Sequence, residues 1–162
     1  MFDAIVIWLH VLGAVVFIGP QIFLAAIALP AIRSVSDAQV RQQVTRQITR
    51  GFGMLGGIAL AVLLATGIWN FYEAEDLGLL DIDRYFVVLQ VKLTLVTAVV
   101  ILTILHGAVF GRRLQRLQEA GASEEELGAA RRWSVLASMA NLAASIAILL
   151  CAALLDADWS KS

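Results

Sequence analysis

Acidic residues are missing from every long apolar run of this chain, cysteine occurs once and proline twice, and each shortage excludes something. A single thiol, Cys151, cannot form an internal disulfide or a multi-cysteine metal site, so cysteine usage leaves the redox compartment open. Only 15% of the 162 residues are charged, the net charge is -1, and no basic block interleaves with aromatics, so nothing points to nucleic acid. No stretch alternates with period two, which removes the signature of a membrane β-barrel. The opening MFDAIVIWLHVLGAVVFIG lacks a basic n-region and a small-residue cleavage site, and its apolar run exceeds a signal core, so it is expected to persist as a first membrane helix.

What is abundant is apolar: 60% of the residues, with a mean hydropathy of +0.82, a composition ordinary for integral membrane proteins. A span needs about 20 mainly apolar residues. Four segments qualify, roughly Ala4 to Ala31, Phe52 to Tyr72, Tyr85 to Gly111 and Trp133 to Leu155. Backbone groups in lipid must be satisfied internally, so the expected fold class is all-α: an integral membrane four-helix bundle, one domain over residues 1–162.

Basic residues set orientation, because cytoplasmic links retain Lys and Arg. Arg33, Arg41, Arg46 and Arg50 lie between spans one and two, and Arg112, Arg113, Arg116, Arg131 and Arg132 between three and four. Asp3, Glu73, Glu75, Asp76, Asp81, Asp83, Asp156 and Asp158 occupy the other side, offset only by Arg84 and Lys161. Both termini are therefore expected outside, which is the periplasm if the membrane is a bacterial inner one. The first link carries Val40, Val44 and Ile48 at helical spacing, which predicts an amphipathic cytoplasmic helix on the surface or an inner extension of span two. Ser123 and Glu126 form a capping-box pattern after Gly121, so span four is expected to start inside the cytosol. No internal repeat or low-complexity tract is visible. Gly53 with Gly57 and Gly107 with Gly111 have GxxxG spacing, which favours close packing within the bundle or in a homo-oligomer.

Projected at 100° per residue, the polar residues of each span share a face. His10, Gly13, Ala14, Phe17 and Gln21 align on span one; Thr66 and Asn70 lie on span two. Lys92, Val99, Thr103 and His106 align on span three, and Ser134, Ser138, Asn141 and Ser145 on span four. His10 and Lys92 both fall roughly 8 to 11 Å below the outer ends of their spans, whereas His106 is about 21 Å from Lys92 and close to the inner arginines. An ionisable side chain at such depth is a functional-site hypothesis. No Asp or Glu within a span neutralises Lys92, which leaves an anionic ligand or a metal that takes an amine as its partner at depth. A metal-porphyrin offers both, iron for a nitrogen ligand and propionates for a cation, and helical bundles commonly hold such cofactors between helices. His10 opposite Lys92 is thus a candidate haem site, with Gly13, Ala14 and Phe17 shaping the pocket. The plainer expectations stand beside it. Lys92 can snorkel toward Asp81, Asp83 or Glu73, His10 can bond a neighbouring helix, and the serines and asparagine can be interhelical glue. His106 reads as an interfacial histidine, with metal ligation as its competing role.

WLHVLGAVVFIGPQIFLAAIALP at residues 8–30, the arginine-rich link, and VKLTLVTAVVILTILHGAVFGRRL at residues 91–114 together resemble the HemJ-like protoporphyrinogen oxidase family and the related membrane domain of CopD-type copper-resistance proteins. The resemblance covers about two-thirds of the chain in pattern. It implies a multi-span haem b protein of the bacterial inner membrane that oxidises protoporphyrinogen IX. The family's essential first-span histidine would be His10, and the lysine of its Lys-Leu pair would be Lys92. This chain has Gln90, Val91 and Lys92 where that family has His-x-Lys, and Arg50 with Gly51 where it has Arg-Pro. The leading expectation is accordingly haem b held by His10, with Lys92 as second ligand or propionate partner, and a porphyrinogen or quinone as redox partner. A CopD-like copper transporter is the second reading, weakened because Met1, Met54, Met139 and Cys151 form no convergent soft-ligand set. The third is an assembly subunit without turnover.

Overall fold

In a computed structural model, which describes residues 1–156, the long apolar runs are helical and no strand occurs among the described residues. Helix α1 spans Phe2–Phe23 and passes through a π-helical turn, Leu24–Ala28, into α2, Leu29–Arg33. Helix α3 then runs for 39 residues, Ala38–Asp76. After a short 3-10 turn, α4 spans Asp83–Leu105, a second π-helical turn covers His106–Gly111, and α5 (Arg112–Glu119) and α6 (Glu124–Leu155) follow. Four helical stretches, Phe2–Arg33, Gln39–Asp76, Asp83–Val109 and Glu125–Leu155, are long and apolar enough to cross a membrane.

Local chemistry starts and stops these helices. The Asp37 carboxylate accepts from the backbone N–H groups of Gln39 and Val40 at 2.8 and 3.1 Å, satisfying two of the donors that every helix start leaves unpaired. Ser123 and Glu126 complete the expected capping box at the head of α6. Gly78 and Gly121, at φ of 68° and 64°, take the left-handed conformation that ends α3 and α5 without a Cβ clash. The amphipathic stretch after the first turn is not a separate helix. It is the first part of α3, continuous with the apolar span. Its turn is tied down by the Arg41 guanidinium, which donates to the Val35 carbonyl at 2.8 Å.

The chain divides into two units, Met1–Leu79 and Leu80–Ser162. The first is an antiparallel hairpin of α1 on α3. Its ends are pinned by the Phe2–Trp69 ring pair at 5.0 Å and the Phe23–Phe52 pair at 6.3 Å. The second pairs α4 with α6. Apolar residues also cover the outward faces, with Trp8 60% and Ile68 61% exposed in the first hairpin and Leu136 56% and Leu150 61% in the second. Helices apolar all round belong in lipid rather than water.

Although the letters show no repeat, the two hairpins follow one plan: long helix, π-turn, short helix, tight turn, capped long helix. Their registers agree as well. Phe17 and Val99, each seven residues ahead of its π-turn, are both buried. Ala59 and Ser145, each 22 residues beyond its helix cap, are both buried too. His10 and Lys92 each lie fourteen residues ahead of their π-turns and so occupy the same station in the two hairpins.

Candidate functional site

In the first hairpin, α1 turns its small and polar stripe toward α3. Gly13 and Phe17 are buried there, and His10 and Ala14 are half-buried. A Cβ on Gly13 would come within 3.1 Å of Leu63 Cγ and 3.6 Å of the Ala59 carbonyl oxygen. The missing side chain is therefore what lets the two backbones approach. One turn nearer the chain start, the His10 ring lies over Gly67, where an added Cβ would sit 3.4 Å from His10 Cε1.

That approach places His10 Nδ1 2.7 Å from the Thr66 hydroxyl oxygen. The direction of the bond follows from proton counting. Thr66 has one hydroxyl hydrogen, and that group already donates back to the Val62 carbonyl at 2.7 Å, an acceptor with no alternative. When that hydrogen stays on Val62 the Thr66 oxygen accepts, and His10 then donates from Nδ1–H with the lone pair on Nε2. Thr66 is itself buried. This is the arrangement by which an outer residue fixes the tautomer and ring orientation of a metal-ligating histidine. Gln21, on the same stripe, donates from Nε2 to the Phe17 carbonyl at 3.0 Å, which keeps a polar side chain satisfied within its own helix.

The second hairpin carries different chemistry at the equivalent station. Lys92 is half-buried on α4, and Cys151 of α6 is buried. Lower in the hairpin, the Thr103 hydroxyl meets Asn141 Oδ1 at 3.5 Å. Ser145 is 1% exposed and donates to the Asn141 carbonyl at 2.8 Å, and Ser138 donates to the Ser134 carbonyl at 3.0 Å. The serines of α6 thus bond back into their own helix, and of the stripe Asn141 makes the contact to α4. His106 opens the second π-turn and is half-buried.

The structure therefore joins His10, Gly13 and Phe17 into one face with Thr66, Gly67 and Leu63. Lys92 lies in the other hairpin. Sequence reasoning placed Thr66 on a polar face and allowed His10 a bond to a neighbouring helix, but it did not pair the two and it missed Gly67. The adjacent pair Thr66 and Gly67, an acceptor beside a gap in an otherwise bulky span, was the available signal. Within the chain a Cβ at Gly53, Gly57 or Gly107 would meet open space, and Gly13 makes the close contact between α1 and α3. Met54 and Met139 are 71% and 62% exposed. Among the described residues, no group of three or more His, Cys, Asp or Glu gathers to hold a metal ion. Comparison with known proteins finds no matching family model, curated protein or solved structure.

Proposed function

We propose that this chain is a haem b-binding membrane protein of HemJ-like type with a redox role, oxidising protoporphyrinogen IX or relaying electrons to quinone. The observation that carries the reading is the His10–Thr66 bond at 2.7 Å, which presents an imidazole with a fixed tautomer on an apolar helical face. That donor set suits haem iron, for which one histidine nitrogen is a sufficient protein ligand and no cluster of acidic or thiol groups is required. In this reading Nε2 of His10 would hold the haem iron. Thr66 retains the Nδ1 proton and prevents ring rotation, Gly67 leaves room for the imidazole edge, and Phe17 helps exclude water. Bound haem would supply one-electron redox chemistry. Lys92 enters on its chemistry, as an amine for iron or an ammonium for a propionate. The proposed setting is a bacterial inner membrane with the two arginine-rich turns in the cytoplasm and both termini outside. A cysteine placed at Ser36 should then label only after the inner membrane is permeabilised.

The test is an absorption spectrum of the purified full chain, oxidised and dithionite-reduced, after expression with adequate haem. A Soret band that is lost in His10→Ala supports the proposal. Absence of any Soret band removes haem from consideration, and a band unshifted in both His10→Ala and Lys92→Ala removes these ligands.

A further inference from the structure

At the end of span three, the second π-turn and α5 border a groove of about 550 Å³ that no part of the haem reading uses. Arg112, Arg113 and Arg116 line it together with Val109, Leu117 and Ala120. The spacing explains this grouping, since residues 109, 113 and 117 and residues 112, 116 and 120 each recur every four positions, in two adjacent rows on one face of a helix. The three guanidinium-bearing residues are exposed, and no carboxylate is among the described residues that line the groove. Other arginines behave differently: Arg41 is spent on its own turn, donating to Val35.

We propose that this groove binds the headgroup of an anionic phospholipid. Three cations without a lining carboxylate call for an anion, and guanidinium groups match phosphate oxygens geometrically. The apolar half of the groove distinguishes the source. Val109 ends a helix apolar enough to cross a membrane, and Leu117 and Ala120 extend the apolar lining beyond it, so one ligand must present a phosphate and hydrocarbon together. A free phosphate has no use for that lining. A basic groove beside a span is also where headgroup recognition is expected in membrane proteins. This inference is independent of haem.

The full chain, purified in a nonionic detergent, is titrated with phosphatidylglycerol, with phosphatidylcholine and with inorganic phosphate, and binding is read from the rise in thermal midpoint. Phosphatidylglycerol should stabilise the wild type at concentrations where the other two do nothing. At about fivefold per arginine, the triple variant R112Q/R113Q/R116Q should lose on the order of a hundredfold in apparent affinity. The double variant R131Q/R132Q, which removes two arginines outside the groove, should retain it. If the triple variant does not fold, R112Q and R116Q singly should each lose about fivefold. Undiminished phosphatidylglycerol binding in the groove variants, an equal loss in R131Q/R132Q, or an equal response to phosphatidylcholine or inorganic phosphate overturns the proposal.

Discussion

The two hairpins share a plan and differ at its equivalent stations. Fourteen residues ahead of the π-turn, the first carries His10 and the second Lys92. Across from its station, His10 meets the Thr66 hydroxyl at 2.7 Å, while Lys92 is half-buried on α4. Packing follows the same split. Gly13 brings α1 close to α3, and the corresponding residue of α4 is the larger Leu95. The comparison teaches that helix length, π-turn and cap reproduce one scaffold, and that a few side chains at fixed stations decide what each copy of it can do.

The largest test of that contrast is a paired substitution. His10→Ala should lower haem per chain at least tenfold by pyridine haemochrome assay, on the order of losing an axial ligand and its oriented neighbour. Lys92→Ala should keep most of its haem with an altered spectrum. Equal loss in both would mean that the hairpins are not specialised as described.

Next in size is the residue behind the histidine. Thr66→Val keeps the shape of the side chain but removes the oxygen that accepts from Nδ1. Haem affinity should weaken about 10- to 100-fold, the usual cost of losing an orienting partner, while Thr103→Val in the second hairpin should leave it unchanged. Haem titration of the apoprotein distinguishes the two, and a Thr66→Val protein that titrates like wild type would refute the tautomer argument.

Packing provides a smaller effect. Gly13→Leu forces a side chain into a space already within contact distance of Leu63, and overpacking of this kind costs about 1–3 kcal/mol. Gly53→Leu enters open space and should change stability by about 0.5 kcal/mol or less. Thermal midpoints in detergent should fall for the first variant alone. Smallest, and equal in the two hairpins, are the cap substitutions: Asp37→Ala and Ser123→Ala should each cost about 1 kcal/mol. A cost confined to one hairpin would show that their capped helices are not equivalent.

Most of the helical framework was readable from residue order. The four apolar runs became the four long helices, and the Ser123–Glu126 box formed as its spacing required. Helix ends were less readable. For residues 38–51 the sequence left open a surface helix or an inner extension of span two, and the structure has them as the first part of α3. Within the candidate site, His10, Gly13, Ala14 and Phe17 were visible as a stripe, but the bond to Thr66 was not. Fifty-six positions separate the two residues, and their meeting depends on the glycine contact at Gly13 setting the register of α1 on α3.

Residue order alone therefore sufficed for what sums over adjacent positions: transfer of apolar runs out of water, internal satisfaction of the backbone, and the caps that begin helices. Which hydroxyl bonds His10, and that His10 and Lys92 stand at one station of a repeated plan, came from packing between distant segments. Helices in an apolar setting gain little from mutual burial and select their register by close side-chain fit and a few hydrogen bonds, each worth only about 1 kcal/mol. Such terms are specific to pairs of residues, and no local pattern contains them.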